Sequence, residues 1–129
     1  MSHGSVETMH EYETIAREFF DTYTRGLLDR DATVIAGHYA VPALIVFPEQ
    51  AIAVSGASQT EEFFASAFGQ YDGASTAEAA VEVVAATRYS IWADVRWSYD
   101  GGVPDERHMY QLVLDGEDWK IAVLTPLDV

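Results

Sequence analysis

The chain has 129 residues with 21 acidic against 7 basic side chains, which gives a formal net charge of −14. A surface of this sign repels phosphate groups, so nucleic acids and anionic membranes are not expected partners. The chain contains no cysteine, which excludes disulfides, thiolate metal sites and thiol catalysis. With 49% hydrophobic residues and neither a leader-like nor a membrane-spanning run, the sequence predicts one soluble, cytoplasmic domain over residues 1–129.

The first half of the chain predicts three helices. Apolar residues at steps of three and four predict a long amphipathic helix from about Val6 to Leu28. A short second helix is expected after Asp31, a suitable N-cap, and Pro42 is expected to end it. The sequence Ser58–Glu61 has the pattern of a capping box and predicts the start of the third helix.

Strands are predicted in two groups. A short hairpin precedes the third helix and four longer strands follow it, at residues 43–47, 51–54, 77–89, 91–99, 107–114 and 119–125. The last two strands are expected to pair across the loop 115–118, with Leu114 opposite Trp119, Leu112 opposite Ile121, Tyr110 opposite Val123 and His108 opposite Thr125. This register predicts a closed apolar end with a buried Trp119 and an open polar mouth.

This order of elements, together with four segments, resembles the nuclear transport factor 2-like superfamily and, within it, the SnoaL-like proteins. The segments are the end of the first helix near Arg25–Gly26, His38–Phe47, Ala93–Trp97 and Gly116–Ile121. The resemblance implies an α+β cone, in which a strongly curved, mostly antiparallel sheet wraps around the three helices and encloses a cavity. It also implies dimerisation across the outer face of the sheet. Members include isomerases, cyclases and dehydratases, but a shared fold does not transfer activity.

Strand alternation predicts which side chains face the cavity. The expected lining with polar capacity is Trp97, Tyr99, His108, Tyr110, Trp119 and Thr125. Thr87 and Tyr89 are expected to face inward from the preceding strand, and Tyr39 to reach the cavity from the helical side. No carboxylate belongs to this set, because Glu49, Asp105 and Glu106 are interpreted as solvated turn residues.

His108 is the best candidate for acid–base chemistry, because an imidazole exchanges protons near neutral pH. Tyr110 is the candidate donor to a developing oxyanion, and the candidate ligand-binding residues are Tyr39, Trp97, Tyr99 and Thr125. A histidine near a strand end beside Tyr and Thr is more often a partly solvated structural residue. The four histidines lack metal-binding spacing, so neither a metal nor another cofactor is expected.

Two functions stay open. In the first, the chain binds a small, largely apolar or aromatic molecule in its cavity. In the second, it is a small-molecule isomerase, cyclase or dehydratase with His108 as general acid or base. The expected outer face of the sheet is too apolar for a free surface, which predicts a homodimer through this face. Its residues are Trp92, Asp94, Arg96, Met109, Gln111, Val113, Ala122 and Leu124.

Overall fold

The computed structural model describes residues 5–47 and 49–129, which form three helices, a 3₁₀ turn and six strands in the predicted order. The helices are α1 (Ser5–Leu28), α2 (Ala32–Ala36) and α3 (Ala57–Ala67), with the 3₁₀ turn at Phe68–Tyr71. The strands are β1 (Tyr39–Phe47), β2 (Gln50–Val54), β3 (Ala77–Ala86), β4 (Ser90–Tyr99), β5 (Glu106–Asp115) and β6 (Asp118–Leu127). Within the described ranges, no helix has both the length and the apolar character needed to cross a membrane.

The six strands form one open sheet in the order β2-β1-β6-β5-β4-β3. β1 runs parallel to β6, and every other neighbouring pair is antiparallel. The apolar stripe of α1 packs against the inner face of this sheet, where Phe20 and Tyr23 meet the rings of Trp97 and Tyr110. The predicted α+β cone of a curved mixed sheet around three helices is therefore confirmed.

The connection from α2 to β1 differs from the prediction. Asp31 is the N-cap of α2 as expected, since its Oδ1 accepts a hydrogen bond from the backbone N–H of Val34 at 3.1 Å. The helix ends at Ala36, however, and Pro42 lies inside β1. Pro42 is tolerated there because the pairing of β1 with β6 is interrupted between Tyr39 and Leu44, so no ladder hydrogen bond is required of it.

The start of α3 also differs from the predicted capping box at Ser58. The side-chain oxygen of Gln59 accepts hydrogen bonds from the backbone N–H groups of Ser55 at 2.6 Å and Gly56 at 3.0 Å. Gly56 is therefore the N-cap and the helix begins at Ala57. Gln59 occupies the third helical position, where a glutamine side chain can reach back to these orphan donors.

The β5–β6 hairpin corrects the predicted register. A two-residue loop at 116–117 joins the strands, and the pairs Leu114–Trp119 and Leu112–Ile121 form as expected. The register then shifts, with Ala122 as the extra residue of a β-bulge. As a result Tyr110 lies opposite Leu124, His108 opposite Pro126 and Met109 opposite Thr125.

Because of this shift, Leu124 and Thr125 lie on other faces of the sheet than predicted, and the turn is more exposed than predicted. Leu124 is buried on the inner face, whereas Thr125 shares the outer face with its partner Met109. Leu114 is 37% exposed and Trp119 only partly buried, so the prediction of a closed end with a buried Trp119 is wrong. Two residues before Leu114 in the same strand, Leu112 is fully buried.

The predicted inward face of β3 is correct only for its first part. Val81 and Val83 pack against the core, as expected. A register shift between Val83 and Ala85 then moves the strand by one residue, and β3 ends at Ala86. Thr87 and Tyr89 therefore fall in the turn, where both are exposed, and neither faces inward as predicted.

Candidate functional site

A mainly aromatic cavity lies between the helices and the inner face of β4, β5 and β6. The cavity has a volume of about 80 Å³. A compact ligand therefore fits better than a large one. The lining is Tyr23, Leu27, Phe47, Phe63, Phe64, Ala67, Gln70, Tyr71, Trp97, Tyr99, Glu106, His108, Tyr110, Leu124 and Pro126.

A carboxylate forms the polar end of this cavity. Glu106 is the first residue of β5, and its Oε1 accepts hydrogen bonds from the hydroxyls of Tyr71 at 3.0 Å and Tyr99 at 2.8 Å. The prediction that the lining contains no carboxylate is therefore wrong. Glu106 shares a face with His108 and Tyr110 because it lies two and four residues before them in one strand.

The two tyrosines that hold Glu106 are fixed as hydrogen-bond donors. Burial, followed by the neighbouring Tyr71 and Glu106, raises the pKa of Tyr99. Burial and then the Glu106 carboxylate raise the pKa of Tyr71 as well. Both phenols keep their protons at neutral pH, so Oε1 of Glu106 is occupied by two donors. No hydrogen bond among the described residues reaches its second oxygen, Oε2.

His108 lies beside that second oxygen. Its side chain is 16% exposed, its Nδ1 lies 3.1 Å from the Tyr110 hydroxyl, and its Nε2 lies 3.9 Å from Oε2 of Glu106. Burial lowers the pKa of His108 below 6.5, and the Glu106 carboxylate opposes part of that shift. Folding thus favours the neutral ring. Because the folded protein disfavours the charged ring, His108 contributes fully to stability above pH 6.5, and this contribution is lost as the pH falls through the lowered pKa.

The predicted site residues divide into two groups. His108, Tyr110, Trp97 and Tyr99 line one cavity, and the indole N–H of Trp97 donates to the Tyr110 hydroxyl at 3.1 Å. Tyr39 and Thr125 do not line it. The Tyr39 hydroxyl instead forms a buried hydrogen bond of 3.0 Å with the hydroxyl of Tyr23, and the bulge in β6 turns Thr125 to the outer face.

Sequence reasoning missed Glu106 and Tyr71. Strand alternation was the available signal for Glu106, because extending the predicted strand at 107 by one residue places this carboxylate on the face of His108. For Tyr71 the only signal was its helical spacing after Phe64 and Phe68, which predicts an apolar helix face and not a hydrogen-bond donor. It lies at the end of the 3₁₀ turn after α3, in a segment predicted as loop. Among the side chains of residues 9–47 and 49–129, no group of three His, Asp or Glu is arranged to hold a metal ion.

An open curved sheet around three helices, with a cavity on its inner face, defines the nuclear transport factor 2-like class of proteins. The chain belongs to the family described as NTF2-like protein (DUF6841), whose model matches residues 10–129. The superfamily predicted from the sequence is therefore confirmed. No curated protein matches the sequence.

Solved structures share this fold at low sequence identity. An NTF2-like protein of unknown function from Shewanella oneidensis is 10% identical, with a TM-score of 0.74 over 90% of this chain and 98% of that one. A protein of unknown function from Mycobacterium tuberculosis is 11% identical, with a TM-score of 0.69 over 100% and 78% of the two chains. A domain of unknown function from Nostoc punctiforme is 18% identical, with a TM-score of 0.65 over 88% and 75%. These similarities show the fold alone.

The contact between Glu106 and His108 is testable by titration. Replacing Glu106 by Gln should lower the pKa of His108 further, because the carboxylate charge that raises this pKa is removed while the burial that lowers it remains. The pKa is measured from the pH dependence of the imidazole proton resonances. Glu78→Gln is the matched control, since Glu78 is an exposed carboxylate of β3. An unchanged or raised pKa of His108 in Glu106→Gln would contradict the arrangement.

Proposed function

We propose that the chain binds a small, largely apolar or aromatic molecule in the cavity, with a polar group of that molecule at Glu106 and His108. The observation that carries this proposal is the mainly aromatic lining with one polar end. Apolar walls favour burial of a hydrocarbon body, and a few convergent polar groups orient it. Assignment to the SnoaL-like branch rests on the sequence segments and stays a prediction.

Three aromatic or aliphatic surfaces support the apolar part of the proposal. Phe63 and Phe64 come from α3, Leu27 from the end of α1 and Leu124 from β6. Three elements of the fold are thus placed around one space. The polar groups Glu106 and His108 both come from β5, so the ligand is expected to lie with its polar end toward the start of that strand.

Filling the cavity should abolish binding without unfolding the protein. Ala67 lines the cavity at the end of α3, whereas Ala65 on the same helix is exposed. In Ala67→Phe the added ring occupies the space of the ligand, so we expect the affinity for toluene, measured by NMR titration, to fall by about tenfold or more. The matched control Ala65→Phe should bind like the wild type. Equal binding by both variants, or no binding by the wild type, would contradict the proposal.

A specific observation also favours a second function, proton transfer in an isomerase, cyclase or dehydratase. Oε2 of Glu106 accepts no hydrogen bond from the described residues and faces His108. A carboxylate so placed can take a proton from the carbon next to a carbonyl, while the neutral His108 donates a hydrogen bond to the carbonyl oxygen. His108 then acts on the oxygen as the acid partner, and Glu106 returns the proton to a neighbouring carbon.

Hydrogen–deuterium exchange tests this second function directly. The wild type should accelerate exchange of the methyl protons of acetophenone in D₂O, and Glu106→Gln should reduce that acceleration by about a hundredfold or more because the base is lost. Glu78→Gln serves as the matched control and should retain the wild-type rate. A wild type that leaves the background exchange rate unchanged would count against proton transfer and leave the binding function in place.

We further propose a homodimer through the outer face of the sheet. Trp92, Met109 and Val113 are partly exposed on this face. Asp94, which lies opposite Met109, is 7% exposed and forms a two-point ion pair with Arg107 at 3.0 and 2.6 Å. Apolar side chains around a few paired charges are typical of an interface centre and its rim. Leu124, expected on this face, belongs to the core instead.

Sedimentation equilibrium tests this assembly. The wild type is expected at the mass of two chains at micromolar concentration. Trp92→Glu should shift the protein to the mass of one chain, because it places a charge among apolar contacts that exclude water. Tyr89→Glu, a matched change of an exposed aromatic residue in the β3–β4 turn, should remain dimeric. A wild type with the mass of one chain would refute the dimer.

A further inference from the structure

The hydrogen bonds of Tyr110 determine which ring nitrogen of the neutral His108 carries the proton. The indole N–H of Trp97 can only donate, so the Tyr110 oxygen accepts that bond at 3.1 Å. The proton of Tyr110 then has one acceptor among the described residues, Nδ1 of His108 at 3.1 Å. A proton on Nδ1 would leave the phenol proton buried without an acceptor, since Tyr110 is only 1% exposed. The hydrogen-bond network thus assigns the proton of the neutral ring to Nε2.

This assignment makes His108 a donor on the side of the cavity. Its Nε2 lies 3.9 Å from Oε2 of Glu106, which is too far for a direct hydrogen bond. The other oxygen of Glu106 already accepts two tyrosine donors. The polar end of the cavity therefore presents one N–H donor and one carboxylate acceptor side by side.

A ligand that satisfies both groups needs an acceptor and a donor on one functional group. A carboxylate has only acceptors, and its charge would lie beside that of Glu106. An amidinium has only donors, one of which would face the N–H of His108. A carboxamide or lactam has both a carbonyl oxygen and an N–H group, and it is neutral.

We propose that the cavity selects neutral aromatic or other apolar carboxamides and lactams, held by the Nε2–H of His108 and Oε2 of Glu106. This inference rests on the proposed binding function and names the chemical class of its ligand. The apolar part of the ligand packs on the aromatic lining. The amide accepts a hydrogen bond from His108 and donates one to Glu106, because these two groups do not bond to each other. Specificity arises because an ill-matched group would leave a partly buried donor or acceptor unpaired.

Four probes that share one aromatic ring test the inference. The wild type is titrated at neutral pH with each probe and followed by NMR. Toluene has no hydrogen-bonding group, benzamide has a donor and an acceptor, benzoate has two acceptors, and benzamidine has only donors. We expect benzamide to bind about tenfold or more tightly than benzoate and benzamidine. Equal affinities for these three, or a preference for benzoate or benzamidine, would overturn the inference.

The variant Glu106→Gln should reverse the preference. Its amide oxygen is expected to keep the two tyrosine donors, so that its NH₂ group replaces the acceptor Oε2 with a donor. Benzoate should then bind more tightly than benzamide, whereas Glu78→Gln should keep the wild-type order. If the variant also prefers benzamide, the assigned roles are wrong. The wild-type series decides the question even where the variant does not fold.

The probes also separate this inference from the function on which it rests. Binding of toluene without any preference among the three polar probes would retain the apolar cavity and reject amide recognition. Failure of all four probes to bind the wild type would reject both. Binding of benzamide with the expected preference supports both, and loss of that binding in Ala67→Phe places the probe in this cavity.

Discussion

The inner face of β5 determines what this protein can do chemically. Because side chains alternate along a strand, Glu106, His108, Tyr110 and Leu112 share one face. Exposure decreases along this row, from a carboxylate at the rim to a fully buried leucine at the centre of the sheet. One strand therefore carries both the buried leucine of the core and the polar end of the cavity. A register shift of one residue would turn all four side chains to the outer face.

The balance of burial and pairing explains why polar groups are tolerated at this depth. A carboxylate in an apolar wall is costly unless donors compensate for the lost hydration. Tyr71 and Tyr99 supply two such donors to Glu106, and they come from different parts of the fold, the 3₁₀ turn and β4. The rings of Tyr71 and Tyr99 also form part of the cavity wall. The same two residues therefore shape the cavity and stabilise the Glu106 carboxylate.

The elements of the fold were predictable because their signals are local. The apolar stripe of α1, the cap at Asp31 and the alternation of the long strands follow from short-range patterns. The register beyond Leu112 was not predictable, because the bulge at Ala122 has no local signal in the sequence; the pairing of β6 with β1 is irregular at the same place. That single extra residue moved Thr125 out of the predicted site and Leu124 into the core.

The site itself was predictable only in part, for the same reason. Sequence alternation identified Trp97, Tyr99, His108 and Tyr110, which line the cavity together. It missed the carboxylate because one residue at a strand end cannot be assigned to strand or turn from sequence alone. Because Glu106 was interpreted as a solvated turn residue, the carboxylate next to His108 was left out of the predicted lining. A correct strand boundary therefore matters more here than any sequence motif.

The residues that stabilise the core can be distinguished from those at the polar end of the cavity. Trp97 and Tyr110 are each 1% exposed, and their hydrogen bond fixes both the packing of the core and the proton position on His108. Changes at these two residues would therefore alter the fold and the site together. Glu106 and His108 are partly exposed at the cavity end of the same network. Their side chains give up less packing, so substitutions there report on the chemistry of the cavity with the least disturbance of the core that supports it.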